Sequence, residues 1–278
     1  GPDSRDFLQG LISNDIHLVT PETAIYAALL TPQGKYLFDF FIAQSGDGLL
    51  VDCEKQRLPD LAKRLRMYKL RADATITDVT DSYGVSALWG GDVASATGLA
   101  HQPGAAKESA GGTLFMDPRL ATAGARAIFE TARSEVALSA LTARLSTPDA
   151  YDIHRLQLGL PDASRDLVPE KSILLESGFD DLNGINWEKG CYMGQELTAR
   201  TKYRGLVKKR LTAVTIDGTA PQAGAQIMSG DKVAGEMRSS NGKLGMALLR
   251  LDHLQDTSTP LTSETATLQS IKPDWAPF

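Results

Sequence analysis

Residues 189–200 read Lys189-Gly190-Cys191-Tyr192-Met193-Gly194-Gln195-Glu196-Leu197-Thr198-Ala199-Arg200. A thiol, an ammonium, an amide, a carboxylate and a guanidinium share this short stretch, with a glycine on each side of Cys191-Tyr192-Met193. Cysteine acts as a nucleophile or a ligand only as thiolate, and thiolates form where positive charge or helix N–H groups stabilise them. Lys189 supplies the charge, and a helix opening near Gly194 would supply the N–H groups. The glycines let the backbone turn sharply or approach a ligand closely. The stretch therefore predicts a reactive, partly exposed Cys191. The plainer alternative is a small apolar cysteine in a turn, which is how most free cysteines behave.

A second residue breaks its local pattern. Tyr36-Leu37-Phe38-Asp39-Phe40-Phe41-Ile42 is apolar on both faces of a predicted strand except at Asp39. A carboxylate is costly to bury alone. Asp39 must reach water at an edge or bulge, or else have a partner and a task.

The elements that position these residues follow from periodicity. Phe7, Leu8, Leu11 and Ile12 form one helical stripe. Residues 24–30 and 35–43 read as strands around the Thr31-Pro32-Gln33-Gly34 turn. Leu49 to Cys53 is a further strand, and Arg57 to Lys69 an amphipathic helix. Strands are expected at 74–79, 83–89, 113–117 and 125–130. Helices are expected at 134–145, with Val136, Leu138, Leu141 and Leu145 inward, and at 148–158, where Gly159 stops the chain. Residues 167–186 have mixed polarity and little period, as a functional loop would. Six basic residues fall between Arg200 and Arg210, either a solvated face or a region that steers anions. From Leu211 onward, short alternating runs divided by turn residues predict a small antiparallel barrel.

These features together resemble the YgfZ/GcvT-like folate-binding proteins, relatives of the glycine cleavage T-protein (aminomethyltransferase). The resemblance rests on the Phe7-Leu8-Gln9-Gly10 opening with its Asn14-Asp15 pair and on the Thr-Pro-Gln-Gly turn followed by Asp39. It continues through Arg155 to Pro161, the Lys-Gly-Cys-Tyr-x-Gly-Gln-Glu stretch and the terminal strands. It implies an α+β fold: an aminomethyltransferase-like body of antiparallel sheets and helices over residues 1–205, then a β-barrel domain over 206–278. It implies a tetrahydrofolate-binding accessory protein for the maturation or repair of iron–sulfur proteins. The alternative is a folate-dependent aminomethyltransferase, and whether the protein is an enzyme stays open. On this resemblance Asp39 and Glu176 orient the pterin and Trp187 walls the pocket. Cys191 is the functional thiol assisted by Lys189, and Glu196 and Arg200 fix the loop as an ion pair. Asp52 stands where the T-proteins commonly have asparagine, so no ligand role is assigned to it. The implied partners are a folate and client iron–sulfur proteins or assembly factors, met by a monomer.

The totals are compatible with this. The 278 residues, 42% hydrophobic and 23% charged, suffice for one large or two ordinary domains. A net charge of −5 argues against a dedicated nucleic-acid binder. Two cysteines, Cys53 and Cys191, are too few for a secreted disulfide framework or for a four-thiolate cluster. No spacing of histidine and cysteine matches a metal site. No run approaches the roughly 18 apolar residues that span a bilayer, and no secretory leader is visible. The expected compartment is the bacterial cytoplasm, or the mitochondrial matrix if a targeting segment preceded Gly1.

Overall fold

The computed structural model describes residues 1–109, 111–141, 143–255 and 259–277. Residues 256–258 and Phe278, which fall inside the expected barrel domain, lie outside the described residues, as does Thr142 of the expected 134–145 helix. The chain forms two compact units. The first comprises Gly1–Pro32, Leu37–Leu145 and Leu182–Gln195, and the second Gln33–Tyr36, Ser146–Asp181 and Glu196–Phe278.

The first unit is built on two sheets. Strands β1 (Ile25–Leu30), β2 (Tyr36–Ser45) and β3 (Gly48–Asp52) form one sheet in that order. Strands β4 (Tyr83–Leu88), β5 (Ala106–Ser109), β6 (Gly112–Met116) and β7 (Ala125–Glu130) form an antiparallel sheet in the order β4-β7-β6-β5. The apolar stripe of residues 7–12 does what its spacing demands: Leu8, Ile12 and Ile16 join Leu29, Phe38, Phe40 and Ile42 in one core. Leu61 and Leu65, from the helix Leu58–Lys69, pack into the same cluster.

The second unit carries a closed barrel. Its strands are β8 (Lys209–Asp217), β9 (Gln226–Ser229), β10 (Lys232–Asn241), β11 (Leu244–Arg250), β12 (Leu261–Ser263) and β13 (Ala266–Ile271). They run in the order β10-β11-β8-β13-β12-β9, and β9 pairs with β10 to leave no open edge. Alternate residues such as Val214, Ile216, Met237, Ala247, Leu249 and Leu268 fill the interior. Gly235 is required by close approach, because a Cβ there would meet Leu248 O at 2.3 Å.

The α+β class and the terminal barrel are as expected, with three corrections. Residues 74–79 join no ladder. Ala74 is buried and Ile76 packs against the core, while Thr75, Thr77, Asp78 and Val79 are exposed, so only the first half of the segment has a buried side. The expected 134–145 helix is Thr131–Ser139, and Val136 and Leu145 are 76% and 101% exposed rather than inward. Strands β5 and β12 went unpredicted; at 4 and 3 residues they are too short to show a period.

Candidate functional site

The cysteine stretch is an irregular loop that becomes the helix Gln195–Tyr203 four residues after Cys191. Cys191 is exposed. Gly190 and Gly194 adopt φ of 89° and 80°, in the left-handed region that side chains disfavour. The glycine pattern thus reflects a real backbone demand on either side of the thiol. The Gln195 side chain accepts a hydrogen bond from Tyr192 N–H at 3.2 Å, which closes the loop onto the first helical residue.

What holds this loop is the opening of the chain. The Lys189 ammonium donates to the carbonyls of Gln9 and Ile12, both at 2.6 Å. Gln9 answers with its amide: Nε2 donates to Lys189 O at 3.2 Å, and Oε1 accepts from Ile16 N–H at 3.0 Å. Met193 N–H donates to Gly10 O, and Asn186 N–H to Ser13 O, each at 3.0 Å. The Ser13 hydroxyl donates to Gly184 O at 2.6 Å. Lys189 also lies 5.0 Å from the centre of the Tyr192 ring. Burial lowers the Lys189 pKa from 10.5 to about 8, partly opposed by Asp15. The ammonium expected to assist the thiol is thus hydrogen-bonded to two backbone carbonyls, and through them it positions the loop that carries Cys191. Trp187, on the same loop, is half-buried.

Asp39 is half-buried on β2 and accepts a 2.9 Å hydrogen bond from the Tyr26 hydroxyl on β1. Its oddity in the sequence is thus resolved by a partner on the neighbouring strand. A second element, Asp117-Pro118-Arg119, follows β6 and reaches the same tyrosine through Arg119. Arg119 holds the Asp117 carboxylate through Nε at 3.0 Å and Nη2 at 2.8 Å, both side chains being under 10% exposed. Burial would raise the Asp117 carboxyl, but the Arg119 guanidinium outweighs it and holds the group below its ordinary range. Arg119 lies over the Tyr26 and Phe41 rings at 5.4 and 5.0 Å. An acid and a base two residues apart on a turn were the only signal available in the sequence.

The remaining expected residues belong to the second unit. Glu176 lies in the turn Leu174–Ser177, half-buried. Desolvation raises its carboxyl, against the opposing pull of Lys209, Lys35, Arg210 and Arg238. Glu196 and Arg200 pair at 3.9 Å with side chains 91% and 49% exposed. An exposed i,i+4 pair at that distance adds about 0.3–0.5 kcal/mol at most, so it does not lock the loop. Among the described residues no group of three or more His, Cys, Asp or Glu is arranged to hold a metal ion.

Comparison with known proteins places the chain. Residues 208–278 match the model of the CAF17 C-terminal beta-barrel domain. The mitochondrial iron-sulfur cluster assembly factor IBA57 of Mus musculus is 32% identical over 303 residues of alignment, spanning 100% of this chain and 82% of that protein. The Homo sapiens protein of the same name is 32% identical, with the same coverage. The chain belongs to the IBA57 family. Its fold is that of the glycine cleavage system aminomethyltransferase T from Bartonella henselae, with a TM-score of 0.79 at 14% identity over 99% of this chain and 82% of that one. An IBA57-family chain thus carries the Lys189-to-Gln195 loop in an aminomethyltransferase-like fold.

Proposed function

We propose that this protein is a tetrahydrofolate-binding accessory factor for the maturation or repair of iron–sulfur proteins. The observation that carries the reading is the Cys191 loop: the thiol is exposed, flanked by two left-handed glycines and pinned from below by Lys189. A thiol that only filled a core would not be held outward in this way. The family supports the iron–sulfur assignment, since its curated members are named as cluster assembly factors. Those members are also named as mitochondrial, which favours the matrix among the two compartments expected for the chain. The fold shared with an aminomethyltransferase and the hydrogen-bonded Asp39 support a pterin-recognising carboxylate. In this reading Asp39 accepts from the N–H edge of the pterin. Cys191 engages the client or the assembly partner, and Lys189 keeps its loop in register.

The test has two arms. Calorimetry of tetrahydrofolate binding to the wild type and to Asp39→Asn should show clear binding that weakens in the variant. Absence of wild-type binding sinks the folate part. Cys191→Ser should keep folate binding and lose the ability to restore a deficient iron–sulfur enzyme; full restoration by that variant sinks the thiol part. Methylene transfer to tetrahydrofolate from an aminomethylated carrier would instead favour the aminomethyltransferase alternative.

A further inference from the structure

We propose that Tyr26 is a positioning residue for the Asp39 carboxylate, and that the buried Asp117–Arg119 pair in turn positions Tyr26. The inference rests on the reading of Asp39 as the group that recognises the pterin. A carboxylate that must meet a planar N–H edge has to hold its plane, yet the last torsion of aspartate is broad and weakly restrained. The Tyr26 hydroxyl restrains it by donating to Oδ2 at 2.9 Å. Tyr26 is itself 2% exposed, and its ring packs 5.1 Å from that of Phe41. Phe41 is two residues beyond Asp39 on β2 and so shares its face. Arg119 covers both rings, 5.4 and 5.0 Å from their centres, and its two-point pairing with Asp117 restrains the guanidinium plane.

The backbone around this stack is tied as well. Asn14 Nδ2 donates to Tyr26 O and to Asn183 O, each at 2.8 Å, and Asn183 Nδ2 donates to Pro118 O at 3.1 Å. The Asn14-Asp15 opening and the Asp-Pro-Arg turn, two motifs that the functional reading leaves unused, therefore converge on one tyrosine. The titratable groups that face Asp39 include the Tyr26 phenol on β1 and the Cys53 thiol after β3, which is within electrostatic reach of Asp39. Arg119 and Arg126 lie over Phe41 and are paired with Asp117 and Asp52.

The experiment uses Tyr26→Phe and Arg119→Lys in the full chain. One readout is the titration of the Asp39 carboxyl carbon by NMR without folate; the other is tetrahydrofolate affinity as a function of pH. Loss of a donor to the ionised form makes a carboxyl titrate higher. In Tyr26→Phe the Asp39 carboxyl should therefore titrate at higher pH than in the wild type. Folate affinity should fall about three- to tenfold, the worth of one hydrogen bond, and should fail at a higher pH on acidification. Arg119→Lys keeps the charge beside Asp117 but not the planar cover, and should shift both readouts in the same direction by less. Should that variant not fold, the neutral pair Asp117→Asn with Arg119→Gln takes its place. An unchanged Asp39 titration in Tyr26→Phe overturns the proposal, and an unchanged one in the Arg119 variants overturns the second half. Absence of wild-type folate binding would sink the folate reading alone, because the titration still decides the positioning.

Discussion

The two cysteines stand in the same compact unit and in opposite environments. Cys53 follows β3, half-buried against the core of residues 8–65, with Asp52, Asp39 and Glu54 around it. Burial first, and then those carboxylates, push its thiol from 9.0 up to about 12. Cys191 lies in solvent on a loop bounded by two left-handed glycines. The difference lies in access: a thiol must be reached before it can react, and burial and carboxylates both disfavour the thiolate. It also separates two kinds of backbone. Cys53 directly follows the regular strand β3, and its side chain packs against the core. The Cys191 loop has no ladder of its own and borrows its rigidity from residues 9–13 through Lys189, Gln9 and Ser13.

The largest expected effect is chemical selectivity. With a pKa of about 12, Cys53 is thiolate in only about one molecule in ten thousand at pH 8. Iodoacetamide at pH 8 should therefore label Cys191 at least a hundredfold faster in the native protein, and the two should react alike in denaturant. Mass spectrometry of the labelled peptides reads this directly, and native labelling of Cys53 at a comparable rate would erase the contrast.

Next in size is the contribution of Lys189. Its folded pKa, about 8, lies below the ordinary 10.5, so between these values the unfolded chain binds the proton that the folded chain has lost. Stability should accordingly rise with pH through that window, where the folded ammonium no longer has to be buried charged. Lys189→Met should flatten this rise in urea titrations at pH 7.5, 9 and 10.5. It should also speed hydrogen exchange at Asn186 and Met193, whose N–H groups the clasp protects. Equal slopes in both proteins would mean that the loop does not depend on the buried ammonium.

How much of this was legible beforehand depends on how far apart the interacting residues lie. Asp39 stood out because a carboxylate interrupted an apolar strand, and the glycines around Cys191 stood out because only a left-handed backbone needs them there. Tyr26 did not stand out: within Ile25–Leu30 it reads as one more large residue, and its hydroxyl acquires meaning only once β1 and β2 are neighbours. Lys189 was visible as a charge, but its targets are about 180 residues earlier in the chain. Local spacing pointed to the nearby thiol, while the fold supplied two carbonyls. Similarly, Ala74 and Ile76 turn one side of their segment to the core, but their spacing carried no information about a pairing partner.

Two smaller effects refine the contrast on the side of the loop and on the side of the core. Gly190→Ala places a side chain at φ 89°, although a Cβ would meet nothing within 4 Å. The cost is therefore backbone strain alone, about 1 kcal/mol, measured as a shift of the denaturation midpoint. A neutral result would mean that the loop relaxes freely. Cys53→Ser, which sets a hydroxyl against the same core, should cost about 1 kcal/mol for burying a polar group.

Cys191→Ser should change stability least, by less than about 0.5 kcal/mol, as expected for an exposed side chain with no packing role. That near-zero value is what gives the variant its power. A cysteine kept for packing loses stability and function together, whereas a cysteine kept for its sulfur loses function with the fold untouched. Cys53→Ser is the internal control: stability should fall while iron–sulfur maturation, assayed at a temperature where the variant stays folded, should persist. Finding the reverse, a destabilised Cys191→Ser with maturation intact, would return Cys191 to the ordinary class of structural thiols.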